Sequence, residues 1–407
     1  MQCRHCNNDL KDIFIDLGHA PPSNAYLNKE SLNKEEQYFP LKVYVCKNCW
    51  LVQTKDFIKP NQLFTKEYAY FSSASKSWLK HCSQYSLKVI KDFNLNKNSL
   101  VTEVASNDGY LLKNFLANDI PCLGIEPTES TALKAKKLGL DIISKFCNEK
   151  TSQEISKIKG KADLVIANNV YAHVPDINDF TLGLKNLMKK DGSLSIEFPH
   201  LLNLIKYKQF DTIYHEHYSY LSLTAVNNIL HLANLRIWKV EKLKTHGGSL
   251  RIFACNVDMD YEDDMSVFSI LKEEEDFGLK DINTYSNFQK EANKIKDELL
   301  LLLIKLKNSG KKVIAYGAAA KGNTLLNYAG IKSDLINSIF DAAESKQYMY
   351  LPGSHIPIMP PSKLKISNPD YILILPWNIS NEIISQLSSC RESGVKFITA
   401  IPEIKIY

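Results

Sequence analysis

The 407-residue sequence contains no apolar run of the roughly 18 residues that a membrane-spanning helix requires. Its longest candidate, LLLLLI at residues 299–304, is far too short and lies between lysine-rich flanks. The first residues, MQCRHC, lack the apolar core of a secretory signal peptide. We therefore predict a cytoplasmic protein without a membrane partner.

A strong charge of either sign is also missing. The formal net charge is +5, and it would fall to about +3 if four cysteine thiolates bound one Zn²⁺ ion. Binding to nucleic acid normally requires basic residues gathered on one face. The weak charge balance therefore argues against a nucleic-acid partner and is compatible with a small anionic substrate.

The nine cysteines are an odd number and, in a cytoplasmic protein, do not indicate a disulfide framework. Four of them form two Cys-x-x-Cys pairs, Cys3 with Cys6 and Cys46 with Cys49. Two such knuckles can offer four sulfurs to a tetrahedral zinc ion. The alternatives are unrelated thiols or a redox pair, but a redox pair normally opens a helix of a βαβ unit, and neither pair does. The spacing favours a structural zinc site in a small N-terminal module, with APPSNAYL (20–27) looping out.

Strand and helix patterns alternate from about residue 100, which predicts a doubly wound parallel sheet. Two later strands, at 235–243 and 248–257, are expected to pair antiparallel at an edge of this sheet. A helix over residues 72–93, capped by Ser72 or Ser73, precedes the alternating region.

A charged, helical connector over 269–309 is followed by a second strand-loop-helix pattern that begins at KKVIAY. The fold class is therefore α/β. We predict an N-terminal zinc-binding module (1–66), a central Rossmann-like domain (67–268) and a second, C-terminal Rossmann-like α/β domain (269–407), in keeping with the number of domains typical of this length.

The segment EVASNDGYLL (103–112) joins a strand to a helix through a loop of small residues, which is typical of nucleotide-binding loops. Only Gly109 remains of the glycines in a dinucleotide fingerprint, because Ala105 and Asn107 stand where glycines would. A close approach of a pyrophosphate is therefore disfavoured. A ligand with a nucleoside but no phosphate fits the loop better.

Polar residues also end the next strands of the predicted sheet. Glu126 can accept hydrogen bonds from both hydroxyls of a ribose, and Asn168 and Asn169 end a later strand at the same edge. These features favour S-adenosylmethionine (SAM), with NAD as the competing cofactor. The predicted cofactor-binding residues are Glu103, Ala105, Ser106, Asn107, Asp108, Gly109, Glu126, Asn168 and Asn169.

Taken together, ten segments resemble the sugar C-methyltransferases of deoxysugar pathways. In chain order they are CRHC…CKNC, EYAYFSSAS, EVASNDGYLL, GIEP, NNVYAHVPD, YHEHYSYLS, HGGSLR, GAAAKGNTLLNY, PGSHIPI and PWN. Their order and positions along essentially the whole chain make the resemblance specific. One departure is Ala105, where the family commonly has glycine. The resemblance implies an N-terminal zinc module, a SAM-binding methyltransferase domain and a C-terminal Rossmann-like domain.

The resemblance also implies methyl transfer from SAM to C-3′ of a nucleoside-diphosphate 4-keto-6-deoxysugar, linked to dTDP or GDP. A proton on carbon beside a ketone can be removed because the resulting carbanion delocalises as an enolate. The carbon then attacks the sulfonium methyl in line. Such an enzyme must supply a base, donors for the developing oxyanion and close alignment.

By the same resemblance, His217 is the predicted general base, and the ordinary histidine pKa of about 6.5 suits proton abstraction near neutral pH. Glu216 and Tyr214 are expected to orient the base or hold the sugar, and Glu216 remains a possible base. His173 and Tyr68 are expected to act as donors to the 4-keto oxygen or as proton relays. The predicted substrate-binding residues are Tyr70, Ser72, Ser73, His246, Lys321 and Asn323.

Judged by residue types alone, YHEHYSYLS (214–222) leaves three interpretations: a metal site, a proton-transfer site or a structural polar loop. It lacks the four-residue histidine spacing of a helical zinc-protease site, and the cysteines already supply a zinc site. A structural histidine would be the simpler interpretation. The resemblance favours proton transfer.

The segment GAAAKGNTLLNY (317–328) places small residues and Lys321 at the start of a helix, where backbone N–H groups and a cation can hold an anion. We expect it to hold the diphosphate of the substrate. Tight strand-helix packing, which also needs small residues, explains the pattern equally well.

Three other functions remain compatible with parts of the sequence. O- or N-methylation of a related sugar would need no enolate. A zinc-ribbon binding protein with degenerate Rossmann domains would bind polynucleotides with a steep salt dependence, which the modest charge disfavours. An NAD oxidoreductase would bind NADH. The missing glycines of the dinucleotide fingerprint argue against this function.

Overall fold

The computed structural model describes residues 1–58, 63 and 71–407. Tyr68 and Tyr70, two of the predicted site residues, lie outside the described residues. In the described part of the chain, three β-sheets carry helices, and no helix is both long and apolar enough to cross a membrane.

The secondary-structure elements follow one another in an α/β order. The strands are β1 Asp12–Ala20, β2 Phe39–Val45, β3 Val52–Thr54, β4 Val101–Val104, β5 Cys122–Ile125, β6 Asp141–Ile143, β7 Ala162–Asn168, β8 Met188–Pro199, β9 Ser219–Tyr220, β10 Leu235–Leu243, β11 Ser249–Asn256, β12 Val313–Tyr316, β13 Ile339–Phe340, β14 Ile358–Met359, β15 Tyr371–Ile374, β16 Lys396–Thr399 and β17 Lys405–Ile406. The α-helices are α1 Lys76–Asp92, α2 Leu112–Leu116, α3 Glu129–Lys137, α4 Glu149–Lys159, α5 Ile177–Leu187, α6 Leu201–Lys206, α7 Leu223–Leu232, α8 Met265–Phe277, α9 Asn283–Ser286, α10 Phe288–Asn308, α11 Ala320–Tyr328, α12 Leu364–Ser367, α13 Ser380–Gln386 and α14 Ser388–Glu392.

The central sheet has the strand order β10-β11-β8-β7-β4-β5-β6. Strands β4 to β8 run parallel, which confirms the predicted doubly wound sheet. Strands β10 and β11 form the expected antiparallel pair at its edge. Because β4 lies between β5 and β7, the direction in which the chain crosses the sheet reverses at β4. A ligand crevice is expected at the carboxyl ends of these strands.

The N-terminal sheet has the order β1-β2-β3-β9 and is antiparallel. Its fourth strand, β9, comes from the central part of the chain and follows directly after the histidine-rich segment at 214–218. The pairing of Val52 with Tyr220 and of Gln53 with Ser219 therefore fixes that segment against the N-terminal module.

The C-terminal sheet has the order β14-β13-β12-β15-β16-β17, parallel except for β17. The predicted strand, small-residue loop and helix correspond to β12 and α11, and α8, α9 and α10 form the predicted helical connector. The protein is thus an α/β protein with an N-terminal cysteine-bearing module, a Rossmann-like central sheet and a second α/β domain.

The N-terminal sheet shares its apolar core with the C-terminal domain. The ring of Phe14 stacks on Phe288 of α10 at a centroid distance of 4.5 Å and meets Tyr285 edge-on at 5.7 Å. The cysteine knuckles, by contrast, pack against the core of the central sheet. The small module is therefore stabilised by burial against both other parts of the chain.

One local prediction was wrong, and two elements were not predicted. Helix α1 is capped by Ser75, whose side chain accepts the N–H of Trp78 at 3.3 Å, while Ser72 and Ser73, the predicted caps, lie in a preceding 3₁₀ turn. Elements β6 and α4 were not assigned from the sequence.

Candidate active site

The four paired cysteines meet in one cluster. Their Sγ atoms all lie within 4.8 Å of one another, with 3.5 Å from Cys3 to Cys49 and 3.5 Å from Cys6 to Cys46. Zn–S bonds of about 2.3 Å place the sulfurs of a tetrahedron about 3.8 Å apart, so the cluster has the size and the donor set that zinc requires. Among the described residues, it is the one group of this kind.

The surroundings of the cluster indicate a structural metal site. Cys3, Cys46 and Cys49 are buried, and four thiolates leave no position for a substrate. The Nε2 of Gln53 donates to the Sγ of Cys3 at 3.1 Å, and the hydrogen bond with Cys49 lowers the pKa of Cys3 to about 4. The same hydrogen bond raises the pKa of Cys49, so the proton of this pair lies on Cys49 and has to leave when a metal binds.

The loop between β4 and α2 adopts the left-handed conformation at every second residue. Ala105, Asn107 and Gly109 have φ values of 60°, 48° and 78°. These are the positions where a glycine-rich fingerprint would have glycines, so the backbone path is retained although two residues differ. At Gly109, with its positive φ, a Cβ would also lie 2.4 Å from the Cδ1 of Leu140 and 3.3 Å from the Cβ of Ala135, so this position favours glycine.

Buried polar atoms gather around this loop at the carboxyl edge of β4 and β7. The Oγ of Ser106, an Oδ1 on each of Asp108 and Asn168, and both side-chain polar atoms of Asn169 are buried and find no hydrogen-bond partner among the described residues. Buried polar groups are normally paired. The site therefore fits a polar ligand such as SAM, whose ribose hydroxyls and amino-acid group would pair with these atoms.

The two predicted carboxylates of this edge are also buried. Glu126 accepts the N–H of Thr128 at 2.8 Å and the N–H of Asn107 at 2.9 Å. Burial raises the pKa of Glu126, and these backbone donors oppose the rise. Burial likewise raises the pKa of Glu103 well above its usual range, against a hydrogen bond with Tyr110.

Ser72 and Ser73 lie against the cofactor loop. The N–H of Ser72 donates to the Oδ1 of Asn107 at 3.0 Å, and the hydroxyl of Ser73 donates to Asp108. The Nζ of Lys134 forms an ion pair with Asp108 at 2.8 Å. The structure thus places the two serines, predicted to bind substrate, beside the predicted cofactor residues, and it adds a lysine that the sequence did not suggest.

The segment from Tyr214 to Tyr218, here called the YHEHY turn, is held by two backbone hydrogen bonds to other segments and one within the turn. The N–H of Tyr218 donates to the carbonyl of Ala172 at 2.8 Å, and the N–H of Thr54 donates to the carbonyl of Tyr218 at 3.0 Å. Within the turn, the N–H of His217 donates to the carbonyl of Tyr214 at 2.9 Å. The side chains of the turn therefore project from a fixed backbone.

His217 lies at the centre of an aromatic and polar group. Its ring is 4.0 Å from the ring of Tyr214 and 4.7 Å from that of His173, centroid to centroid. Its Nδ1 lies 2.8 Å from the carbonyl oxygen of Thr212 and donates to it, which leaves the lone pair of the neutral ring on Nε2. Burial lowers the pKa of His217 well below its usual range, and His173, His246 and Lys321 lower it further.

Two neighbours complete this group. The Nδ1 of His173 donates to the carbonyl oxygen of Glu216 at 2.9 Å, and burial lowers the pKa of His173 to about 4. The side chain of Glu216 is 2% exposed and accepts the Nδ2–H of Asn24 at 2.7 Å. His215 faces elsewhere, with its Nε2 3.3 Å from the carbonyl oxygen of Phe39, so the two histidines of the turn do not share a ligand.

The C-terminal domain approaches the same group through α11 and the loop that follows β15. The Nζ of Lys321 donates to the Oδ1 of Asn378 at 2.7 Å and lies 4.7 Å from the ring centre of Trp377. The Nε1 of Trp377 in turn donates to Asp211 at 2.7 Å. Burial lowers the pKa of Lys321, and the charge of Asp211 opposes this.

His246 also lies near this group, since it lowers the pKa of His217. It has a φ of 51° and its ring is 5.1 Å from that of Trp78, while burial lowers its pKa to about 4. Asn323 is 1% exposed, its Oδ1 accepts from Asn327 of the same helix at 3.1 Å, and its Nδ2 has no partner among the described residues. The structure therefore brings together six of the predicted residues, which are Tyr214, Glu216, His217, His173, His246 and Lys321.

Comparisons with known proteins identify the family. A putative zinc binding domain matches residues 3–64, a methyltransferase domain matches 79–240, and a C-methyltransferase C-terminal domain matches 244–402. The C-methyltransferase NovU of Streptomyces niveus is 33% identical over 405 residues, which cover 100% of this chain and 96% of that protein. The chain belongs to the C-methyltransferase family. The domain limits 1–66, 67–268 and 269–407 remain predictions.

Two solved structures are similar to part of this C-methyltransferase. Magnesium protoporphyrin IX methyltransferase of Synechocystis PCC 6803 with bound SAM is 15% identical, with a TM-score of 0.34, over 44% of this chain and 79% of that one. The PH0226 protein of Pyrococcus horikoshii OT3 is 13% identical, with a TM-score of 0.39, over 49% of this chain and 99% of that one.

The C-methyltransferase is SAM-dependent, and its cofactors are SAM and zinc, as the sequence predicted. Several residues that support the site were not predicted from the sequence. Asn24, Asp211 and Trp377 contact predicted residues directly or through one neighbour. Trp377 belongs to the segment PWN and Asn24 to the segment APPSNAYL, but no local sequence pattern indicates which residues they contact.

Glu197 is another missed residue of the C-methyltransferase. It lies near the end of β8, paired with Asn168 of β7. Its carboxylate accepts hydrogen bonds from Arg251 at 2.8 Å and from Thr245 at 3.0 Å, and it lies 3.1 Å from the Nε2 of His81. Although burial opposes ionisation, His81 and Arg251 lower the pKa of Glu197 to about 2. This ionised cluster holds the hairpin that carries His246.

Proposed function

We propose that this SAM-dependent C-methyltransferase methylates C-3′ of a nucleoside-diphosphate 4-keto-6-deoxysugar. One observation carries the proposal: a neutral imidazole, His217, has its Nδ1–H committed to the carbonyl oxygen of Thr212 at 2.8 Å. Its Nε2 is therefore the basic nitrogen, in a half-buried position beside Tyr214 and His173. Such a group is what proton abstraction from carbon requires.

In the proposed reaction, the Nε2 of His217 accepts the proton from C-3′, and the electron pair delocalises onto the 4-keto oxygen. The low pKa of His217 keeps the imidazole in the unprotonated form at neutral pH. When bound, SAM supplies a methyl group on a positively charged sulfur. The nucleophilic carbon attacks that methyl group, the bond to sulfur breaks, and the ketone is restored.

The neighbours of His217 have complementary roles in this proposal. Tyr214 supplies a hydroxyl donor for the developing oxyanion. His173 donates through Nδ1 to the carbonyl of Glu216, so its Nε2 accepts rather than donates while the ring is neutral. That tautomer makes His173 better suited as a relay that carries the abstracted proton away than as a donor to the ketone.

The C-terminal domain is proposed to hold the nucleotide. Lys321 stands in the first turn of α11, a nine-residue helix whose cap residue, Ala319, offers no side chain to the free N–H groups. The Nδ2 of Asn323 is buried without a partner among the described residues. A cation, free N–H groups and an unpaired amide together suit a diphosphate. We propose a dTDP- or GDP-linked sugar, with His246 at the mouth of the site.

The proposal is tested by incubating the zinc-loaded protein in D₂O with dTDP- and GDP-4-keto-6-deoxysugars, with and without SAM. We expect deuterium to enter C-3′ of unreacted sugar and one methyl group to be added on carbon, as read by NMR and mass spectrometry. Methylation on oxygen or nitrogen without exchange would instead favour an O- or N-methyltransferase. No methylation of any keto-sugar by protein that binds SAM would refute the proposed substrate class.

A further inference from the structure

The loop between β1 and β2 reaches the active site from the N-terminal module. Its residues 21–27, here called the PPSNAYL segment, contact the C-terminal domain at three places and the YHEHY turn at a fourth. The sequence predicts only that this region loops out between the cysteine pairs. Its contacts give it a defined position instead.

Contacts with the C-terminal domain fix the segment. The hydroxyl of Tyr26 donates to the carbonyl oxygen of Ala318 at 2.6 Å, and Leu27 exchanges backbone hydrogen bonds of 2.8 Å and 2.9 Å with Tyr350. The hydroxyl of Ser23 lies 3.5 Å from that of Thr324 on α11. Asn24 lies between these anchors, so its position in the chain is fixed from both sides.

The contact of Asn24 with the YHEHY turn is a direct one. Its Nδ2 lies 2.7 Å from the Oε1 of Glu216, which belongs to a carboxylate that is 2% exposed. An N–H donor to a carboxylate stabilises its ionised form and fixes its direction. A buried carboxylate without such a donor would tend to take up a proton.

We propose that Asn24 is a positioning residue that keeps Glu216 ionised and correctly oriented for the reaction at His217. The inference rests on the proposed function, in which the neighbouring His217 gains a proton and thus a positive charge. An ionised Glu216, next to His217 in the chain, favours that charge, and a neutral Glu216 does not. The N-terminal module therefore has a part in the reaction besides holding zinc.

The test compares N24D and N24A with the wild-type holoenzyme. The change to aspartate keeps the shape of the side chain but removes the donor and opposes Glu216 with a second carboxylate. We expect kcat for methylation of the dTDP- or GDP-4-keto-6-deoxysugar to fall by about 10- to 100-fold in both variants, the range for losing a hydrogen bond to a charged group. Affinity for SAM, measured by calorimetry, should not change.

The pH dependence of the methylation rate distinguishes a hydrogen-bond donor at position 24 from a residue that only fills space there. Once protonated at lower pH, the new carboxylic acid of N24D can donate to Glu216 again, so the ratio of its rate to the wild-type rate should rise as the pH falls. N24A has no donor at any pH and should show no such rise. Other titratable groups near this pair are Tyr26 and Tyr218, which the charge of Glu216 affects, the neighbouring His217 and His173, and Lys346 and Asp341 beside Tyr26. All of them are the same in the three proteins.

N28D and N28A are the matched controls. Asn28 lies four residues further on, and its Oδ1 accepts the N–H and the hydroxyl of Ser31 at 2.8 Å, away from the turn. Both controls should keep wild-type kcat. An active wild type with an unaffected N24D would overturn this inference alone. A wild type that neither exchanges nor methylates any keto-sugar would remove the proposed function and, with it, this inference.

Discussion

The Nδ1 of His217 donates to the carbonyl oxygen of Thr212 at 2.8 Å, so the ring is held with its basic nitrogen, Nε2, on the opposite side. Thr212 ends a short 3₁₀ turn, Phe210–Thr212. That turn contacts the C-terminal domain through Asp211 and Trp377. The orientation of the candidate base is therefore set by contacts from outside the central sheet.

The first prediction concerns His217 itself. H217A should abolish both deuterium exchange at C-3′ and methyl transfer, because general-base catalysis typically contributes about 10²–10⁴-fold. SAM binding should persist, since the cofactor loop at 103–109 follows β4 of the central sheet, whereas His217 precedes β9 of the N-terminal sheet. H231A, which changes an exposed histidine at the end of α7, should behave as wild type. Retained exchange in H217A would move the role of base to Glu216.

The second prediction concerns the cofactor loop. Ala105 has a φ of 60°, and the left-handed conformation costs a residue with a Cβ roughly 1–2 kcal/mol. A105G should therefore keep or raise the midpoint of thermal unfolding, although glycine gains entropy in the unfolded chain. Affinity for SAM should be kept as well.

Gly109 is the contrasting position in that loop. G109A should lower the melting temperature and weaken SAM binding, because a Cβ there would lie 2.4 Å from Leu140 at a φ of 78°. Calorimetry of both variants checks the pair. Equal SAM affinity and stability in A105G and G109A would contradict the assignment of this loop.

The third prediction concerns zinc. C46S should lose zinc, measured as metal per chain after dialysis, and should unfold at a lower temperature, because a structural zinc ion contributes folding free energy directly. C147S is the control: Cys147 lies outside the cluster, so this variant should retain one zinc per chain. Full zinc content in C46S would show that the four sulfurs do not form the site.

The sequence predicted the chemistry of each part better than the contacts between parts. Two Cys-x-x-Cys pairs and the alternating strands are local patterns, and the structure bears out both. The left-handed backbone at Ala105 could not be predicted, because alanine, unlike glycine and asparagine, does not favour that conformation. Asn24 and Glu216 are 192 residues apart, and no periodicity relates them.

The missed element α4 is a different case. Asn148 and Thr151 form a reciprocal capping box at its start, which is a local signal that the sequence did contain. The preceding strand, β6, has only three residues, too few for a clear alternation of buried and exposed side chains. Short edge elements of this kind are recognised from the sheet they complete.

The last prediction concerns the contact between Asp211 and Trp377. Asp211 is fully buried, and burial raises its pKa to about 6, although Lys321 and the indole N–H of Trp377 favour the ionised form. A carboxyl group whose pKa is higher in the folded state than its unfolded value stabilises the protonated protein. Its contribution to the free energy of unfolding is therefore lost as the pH rises from about 4 to about 6.

D211N should remove this dependence, because the amide stays neutral and its oxygen can still accept from Trp377. The stability of D211N relative to wild type should therefore rise by about 1 kcal/mol between pH 5 and pH 8, as measured by urea unfolding with zinc present. D334N is the control, because Lys307 lowers the pKa of the exposed Asp334 and the corresponding rise should be absent. A constant difference between D211N and wild type would mean that Asp211 is already ionised at pH 5. In that case Lys321 outweighs burial, and the ion pair itself would hold the turn that carries Thr212.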